Sequence, residues 1–183
     1  AYMGTKRIAI VSAMREELQA LHEDLAGERI ERVAGRDFHL GTMHGSTAVL
    51  VLSGIGKVAA ATTTALLLDR FEVDAVLFTG VAGGLGEGVN VGDVVIGDAL
   101  LQHDLDASPI FPRWEVPLTG QSRFAADARW SDTLARAARS SGHTVHCGLI
   151  VSGDRFVSTS AESAALRAAL PDALAVEMEG AAV

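Results

Sequence analysis

The sequence predicts an α/β fold: a single domain over residues 1–183 with a central mixed β-sheet flanked by helices. Short, nearly continuous apolar runs alternate with segments in which apolar residues recur at helical spacing. Hydrophobic residues make up 49% of the chain and aromatic residues only 5%, so Ala, Val, Leu and Ile must fill the core. A chain of 183 residues suits one domain better than two.

The first part of the chain alternates strand and helix patterns. A β-branched run is followed, after a tight turn, by leucines at helical spacing. Two strand-like runs then flank His44-Gly45, a pair typical of a hairpin turn. The predicted elements are a strand at 8–13, a helix from 14, hairpin strands at 38–45 and 46–53, and a helix at 57–70.

The second part continues the alternation after a glycine-rich loop. Residues 102–124 contain three prolines and little periodicity, so they predict an ordered excursion or a loop that contacts a partner. The predicted elements are a strand at 74–79, the loop at 80–90, strands at 91–98, 145–152 and 172–177, helices at 130–140 and 161–170, and the opening of a helix at 178–183.

Composition excludes several classes of function. A formal net charge of -8 disfavours binding to nucleic acid, and no apolar stretch is long enough to predict a membrane span. Cys147 is the only cysteine, which excludes an intramolecular disulfide and suits a cytoplasmic location. It is expected to pack in the core, on an apolar strand. His103, Asp104 and Asp106 lack a second cluster at ligand spacing, so no metal site is expected.

Two glycine-rich loops suggest anion sites but depart from the known patterns. The segment 54–57 has the wrong spacing for a phosphate-binding Walker loop. It fits either a closely packed helix entry or the lining of a nucleoside pocket. The segment 83–88 precedes a strand rather than a helix, which argues against a dinucleotide fingerprint. It lines a ligand at the sheet edge or simply forms tight turns.

Two pairs of glutamates are candidate functional groups. Glu16 and Glu17 begin a helix after the first strand, where the helix N-terminus favours a carboxylate. The simpler interpretation is that these side chains are merely exposed to solvent in the first turn of the helix. Glu177 and Glu179 follow the last strand, and a carboxylate there is well suited to accept hydrogen bonds from ribose hydroxyls. At least one of the second pair is expected to be functional.

Six segments in order make the chain similar to a known family. They are residues 13–17 (AMREE), 53–60 (SGIGKVAA), 79–84 (TGVAGG), 91–93 (VGD), 151–157 (VSGDRFV) and 176–179 (VEME). Together they resemble the 5'-methylthioadenosine/S-adenosylhomocysteine nucleosidases of the nucleoside phosphorylase superfamily, over residues 7–183.

The resemblance implies the activity and the assembly. It implies a nucleoside phosphorylase-like fold, a homodimer, and hydrolysis of the bond between adenine and a 5'-thio-substituted ribose, a reaction of nucleoside catabolism and methionine salvage. The substrate is a small-molecule nucleoside, and neither a metal nor an organic cofactor is implied.

The resemblance also assigns roles by position. It implies that Glu17 is the general base that activates water. It places Gly83 beside the ribose, Met178 under it, and Glu179 in contact with its 2' and 3' hydroxyls. It also implies that Phe156 stacks on adenine and that Val157 forms hydrogen bonds with the adenine edge through its backbone.

The sequence departs from the family pattern at two places. Val81 stands where the family often has a small polar residue. The family's general acid is an aspartate after a serine, on a strand that follows the last helix, and this strand and helix are expected to lie beyond Val183.

Two other functions remain open at the level of sequence. A phosphorylase would use phosphate in place of water, but a phosphate site favours arginines. The first glycine loop offers only Lys57, and Glu17 would repel a phosphate dianion. A non-catalytic nucleoside-binding module would keep the pocket and lack the chemistry.

Overall fold

The computed structural model describes residues 6–183. They divide into two compact units, residues 6–81 with Val183 and residues 82–182. Each unit contains one five-stranded mixed sheet with helices, so the predicted α/β class and the mixed strand pairing are confirmed. The predicted domain bounds, 1–183, stay a prediction. Within residues 6–183 no helix combines the length and the apolar character needed to cross a membrane.

The first unit is a sheet with strand order β2-β3-β4-β1-β5. β1 is parallel to β4 and β5, and β2, β3 and β4 are antiparallel neighbours. The carboxyl ends of β4, β1 and β5 therefore lie side by side. The elements are β1 (Arg7–Ser12), α1 (Arg15–Glu23), β2 (Ala26–Val33), β3 (Arg36–Met43), β4 (Ser46–Leu52), α2 (Lys57–Asp69) and β5 (Ala75–Phe78).

Two-residue turns join the antiparallel strands of the first unit. His44 and Gly45 have φ angles of 47° and 81°, and Ala34 and Gly35 have 49° and 76°, as the tight turns of twisted hairpins require. The predicted hairpin around His44-Gly45 is confirmed. β2 was not predicted, because most of its residues are exposed and its sequence lacks an apolar face.

The core of the first unit lies between the sheet and α2. Phe38 of β3, Val49 of β4 and Val11 of β1 are fully buried on one face, together with Leu67 of α2. The ring of Phe38 stacks on Phe71 with centroids 4.4 Å apart. α1 contacts β1 and β4, so both helices of this unit pack against its sheet.

The second unit is a sheet with strand order β6-β10-β9-β7-β8. The three central strands are parallel, and both edge strands are antiparallel. The predicted opening of a helix at 178–183 is a single 3₁₀ turn, Gly180–Ala182. The other elements are β6 (Gly83–Gly84), β7 (Val94–Gln102), β8 (Phe124–Ala125), α3 (Ala128–Ser140), β9 (Val145–Ser152), α4 (Ser160–Ala169) and β10 (Ala173–Glu177).

The extent of the second core explains why Cys147 is exposed and Trp114 is partly buried. Leu149 and Val151 of β9 are buried in it, and Cys147 shares their face by alternation. The expected burial of Cys147 is nevertheless wrong: it is exposed, because it lies nearer the start of the strand, outside the core cluster. Trp114 packs against this core and donates a hydrogen bond to the carbonyl of His103 at 3.1 Å.

Candidate functional site

Glu17 is held at the start of α1, just after the turn that follows β1. Its Oε2 atom accepts hydrogen bonds from the backbone N–H groups of Ala13 and Met14, at 3.0 and 2.9 Å. A glutamate at the third helical position commonly reaches back in this way to satisfy donors at the helix start. Glu16, the neighbouring candidate, is exposed. The structure therefore distinguishes Glu17 as the fixed carboxylate of the pair.

The second oxygen of Glu17 faces the residues after β5. Oε1 accepts a hydrogen bond from the N–H of Val81 at 3.1 Å. Gly80 leaves little room for a side chain, because an added Cβ would lie 3.2 Å from this oxygen and 3.3 Å from Cε1 of Phe78, and both would have to shift slightly. Where the family often has a small polar side chain, the Val81 backbone supplies a hydrogen bond to the carboxylate.

The loop from Ser53 to Lys57 lies at the same sheet edge as Glu17. Ser53 donates from its N–H to the carbonyl of Ser12 at 2.9 Å, which extends the pairing of β4 with β1. Gly54 and Gly56 have φ angles of 83° and 100°, which favour glycine, and Gly56 precedes the first residue of α2. The two glycines therefore serve helix entry. Their position beside the end of β1 also leaves pocket lining open.

Two arginines that the loop sequence does not reveal lie beside this loop. Arg15 and Arg36 line a cleft of about 440 Å³ together with Gly54. They come from α1 and β3, so inspection of the loop sequence alone missed them. The loop itself carries only Lys57, as its sequence shows, and other elements add two arginines to its surroundings.

Arg36 is largely engaged within its own unit. Its Nε donates to the hydroxyl of Thr63 at 2.7 Å, and Nη1 donates to the carbonyl of Ala34 at 3.0 Å. Asp37 lines the same cleft and adds a negative charge. Arg15 contributes a further positive charge to the cleft, and the Asp37 carboxylate is itself paired with Arg32 at 3.1 Å. The cleft therefore combines charges of both signs.

In the second unit, Glu177 is engaged in the turn that follows β10. Its carboxylate accepts hydrogen bonds from the N–H groups of Glu179 and Gly180, at 2.9 and 2.8 Å, and from the hydroxyl of Ser152. The Ser152 oxygen in turn accepts a hydrogen bond from the N–H of Ala181 at 2.8 Å. Glu177 thus has a structural role, which sequence alone did not separate from that of Glu179.

Glu179 is a buried carboxylate at the carboxyl end of the same strand. Only 6% of it is exposed, and its Oε2 accepts a hydrogen bond from the N–H of Met178 at 3.2 Å. Buried carboxylates require hydrogen-bond donors, and ribose hydroxyls are donors. Since Glu177 holds the turn, Glu179 is the better candidate of the pair for contact with a sugar.

Phe156 and Val157 lie in the loop that joins β9 to α4. The Phe156 side chain is 76% exposed, so its ring is available for stacking. Val157 packs its side chain on the second core, whereas in the part of the chain that the structure describes neither its N–H nor its C=O forms a backbone hydrogen bond. This backbone can therefore pair with a ligand.

Gly83 lies in the two-residue strand β6, opposite Val176 of β10. A Cβ at Gly83 would make ordinary contact, 3.4 Å from Cγ1 of Val176. A Cβ at Gly86 would come within 2.8 Å of Cδ2 of Leu174, so a side chain there would force the end of the Leu174 side chain to move. The structure therefore gives no steric reason for glycine at 83 within this unit.

Asp93 of the Val-Gly-Asp segment has a structural role. Its Oδ2 atom accepts hydrogen bonds from the N–H of Asn90 at 2.9 Å and from Nε2 of His146 at 2.8 Å. The bond from Asn90, followed by that from His146, holds the pKa of the Asp93 carboxyl below its ordinary value. Asp93 thereby fixes the entry to β7 and ties it to β9.

The predicted site residues are divided between the two units. Glu17 belongs to the first, and Gly83, Phe156, Val157, Met178 and Glu179 belong to the second. In the second unit, the carboxyl ends of β9 and β10 bring the 156–157 loop and the turn containing Met178 and Glu179 to one edge of the sheet. This is the edge where parallel α/β sheets bind ligands.

Comparison with known proteins identifies a family and close relatives. The model of the phosphorylase superfamily matches residues 7–183. The 5'-methylthioadenosine/S-adenosylhomocysteine nucleosidase of Anoxybacillus flavithermus is 41% identical over 96% of this chain and 76% of its own length. That of Colwellia psychrerythraea is 37% identical over 97% of this chain and 75% of its own length.

Solved structures give the same result. The chain superposes with a TM-score of 0.93 on the Neisseria meningitidis nucleosidase in complex with methylthio-immucillin-A, at 42% identity over 97% of this chain and 77% of that one. It superposes with a TM-score of 0.91 on the Colwellia psychrerythraea nucleosidase in complex with adenine, at 37% identity over 100% of this chain and 76% of that one.

Proposed function

Since the chain belongs to the phosphorylase superfamily, we propose that it is a purine nucleosidase that hydrolyses the N-glycosidic bond of 5'-methylthioadenosine and S-adenosylhomocysteine and releases adenine. The relatives that bear this activity in their names are 35–41% identical to it. The observation that carries the proposal is the Glu17 carboxylate, fixed by three backbone donors at the sheet edge where such a base is expected.

The proposed reaction requires a base for water. A water oxygen forms a bond to C1' of the ribose while the C1'–N9 bond breaks, and the electron pair leaves with adenine. Glu17 takes the proton that the water loses, and the purine takes up a proton from solvent as it departs; Glu17 then returns its proton to solvent. The backbone donors orient the Glu17 carboxylate, since two of them bind Oε2 and the third binds Oε1.

The remaining predicted residues bind the nucleoside. In the proposal, Glu179 accepts hydrogen bonds from the 2' and 3' hydroxyls, and its negative charge favours the positive charge that develops on the sugar. Met178 packs under the ribose and Gly83 lies beside it. The exposed Phe156 ring stacks on adenine, and the N–H and C=O groups of Val157 bind the base edge.

The first prediction separates hydrolysis from phosphorolysis. The full-length protein is expected to release adenine from 5'-methylthioadenosine in phosphate-free buffer, because the Glu17 carboxylate is held where it can take a proton from water and would repel a phosphate dianion. Chromatography of adenine and of the sugar product, with and without added phosphate, measures this. Strict dependence on phosphate, with a sugar 1-phosphate as product, would establish the phosphorylase instead; tight adenosine binding without adenine release would indicate a binding module.

The proposal also includes a homodimer and a cytoplasmic location. Ile110 and Leu118, both in the excursion, are 82% and 91% exposed, which supports an interface there. A single cysteine whose thiol is exposed suits a reducing compartment.

A further inference from the structure

Three potential metal ligands converge in the first unit, and none of them is among the residues assigned to nucleoside chemistry. Nε2 of His22 lies 3.1 Å from Oε1 of Glu28 and 3.1 Å from Nδ1 of His39. The same His39 nitrogen contacts the same Glu28 oxygen. Two imidazole nitrogens and one carboxylate oxygen thus form a small triangle, the only group of three such ligands found within residues 6–183.

The fold builds this triangle from three elements. His22 is in the last turn of α1. His39 is on β3, and by alternation it points away from the face that carries Phe38. Glu28 lies on β2 where the pairing with β3 is irregular, just after Gly27 with its φ of 65°. Bulges of this kind re-aim side chains, and here the bulge brings Glu28 to the two histidines.

Protons alone satisfy this triangle poorly. Each imidazole nitrogen carries at most one proton, and the ionised carboxylate carries none. If both nitrogens are protonated, two donors face each other at 3.1 Å; if one is protonated, one edge of the triangle lacks a donor. A cation in contact with all three atoms removes this conflict, because each then offers a lone pair.

The dimensions fit a small transition-metal ion. With metal–ligand distances of about 2.0–2.1 Å, tetrahedral geometry places neighbouring ligand atoms about 3.3–3.4 Å apart. The two distances of 3.1 Å need only a slight expansion, whereas the closer contact between Nδ1 of His39 and Oε1 of Glu28 must open by more. Imidazole ligands favour Zn²⁺ and similar ions over Mg²⁺ and Ca²⁺, which favour oxygen.

We propose that His22, Glu28 and His39 form a site for Zn²⁺ or a chemically similar divalent ion. All three side chains are partly exposed, so an ion can enter from solvent and keep a water as its fourth ligand. The ion joins the end of α1 to β2, an exposed edge strand, and to β3. Binding to the native state alone therefore raises the free energy of unfolding. This site is independent of the proposed nucleosidase activity.

Titration of the untagged, metal-free chain with Co²⁺ tests the proposal. One equivalent is expected to bind, with the intense visible absorption of a tetrahedral Co²⁺ site, and Zn²⁺ is expected to displace it and raise the unfolding temperature.

His22→Gln, His39→Gln and the isosteric Glu28→Gln are each expected to weaken binding by at least about tenfold, since loss of a supporting partner alone costs 10–100-fold. His44→Gln serves as the matched control, because this histidine lies in the same unit with its side chain 82% exposed, and it is expected to leave binding unchanged. Unfolding in the presence of a chelator confirms that each variant folds. The proposal is overturned if the wild-type chain shows no saturable tetrahedral spectrum, or if the three variants bind as it does.

Discussion

At the scale of single residues, hydrogen-bond partners separate glutamates that look alike in the sequence. Glu17 is tied to three backbone donors, whereas Glu16 next to it is exposed. Glu177 holds the turn after β10, whereas Glu179 is the buried carboxylate beyond it. Glu17 is therefore better placed than Glu16 to act as the base, and Glu179 is better placed than Glu177 to contact the ribose.

The different roles of Glu17 and Glu179 lead to a prediction. Glu17→Gln is expected to abolish turnover and leave inhibitor binding largely intact, because an amide cannot take the proton from water. Glu179→Gln is expected to weaken both, because it removes a charged acceptor used already in the ground state, at a cost of about 1.5–3 kcal/mol, or about ten- to a hundredfold in affinity. Adenine-release rates and calorimetric titration with a 5'-thio transition-state analogue measure the two effects.

Glu16→Gln is the control for this experiment, since it makes the same chemical change one residue away. It is expected to behave as the wild type. Near-normal turnover in Glu17→Gln together with a loss in Glu16→Gln would show that the base had been assigned to the wrong residue.

At the scale of secondary-structure elements, side-chain hydrogen bonds determine where a strand begins, which the hydrophobic pattern predicts only approximately. The predicted strand at 91–98 begins at Val94 in the structure. Asp93 just before it accepts hydrogen bonds from Asn90 and from His146 of β9. The carboxylate thus holds the preceding residues in a turn, which delays the start of β7.

Asp93 is also expected to make the free energy of unfolding depend on pH. Its pKa lies below the ordinary value of 3.8 in the native state, owing first to the Asn90 N–H and then to His146. A lowered native pKa contributes stability that is present above pH 3.8 and is lost as the pH falls through the native pKa. Asp93→Asn is therefore expected to lower the free energy of unfolding at neutral pH and to flatten its decline in acid.

Chemical denaturation between neutral pH and pH values below the ordinary pKa of aspartate checks this expectation. Asp98→Asn, at an exposed aspartate of β7, is the matched control. It should change neither the free energy of unfolding at neutral pH nor the steepness of its decline in acid. An acid decline as steep in Asp93→Asn as in the wild type would contradict the assignment.

At the scale of the whole molecule, exposed apolar side chains point to self-association. Ile110 and Leu118 remain exposed, whereas Trp114 packs on the second core. The apolar surface proposed for the dimer interface is therefore centred on Ile110 and Leu118.

The dimer itself is a prediction that sedimentation can test. The chain is expected to sediment as a dimer at micromolar concentration, and Ile110→Ser is expected to shift it toward the monomer, because the substitution removes apolar surface from the interface. Val91→Ser, which alters an exposed apolar residue outside the excursion, should have no effect. A wild-type monomer would exclude the proposed assembly.

The sequence by itself determined the features that depend on local patterns. Strand and helix periodicities predicted most elements of both units, and the pair His44-Gly45 predicted its hairpin because both residues must adopt positive φ. Six short segments predicted the family, since their order and spacing along the chain are properties of the sequence alone.

The tertiary structure alone decided which distant residues meet. β2 escaped prediction because an exposed edge strand needs no apolar alternation. Arg15 and Arg36 reach the Gly54 loop from other elements, and His22, Glu28 and His39 converge only when α1, β2 and β3 are in place. Such groups form because packing brings together side chains that are far apart in the chain, and local periodicity carries no information about those contacts.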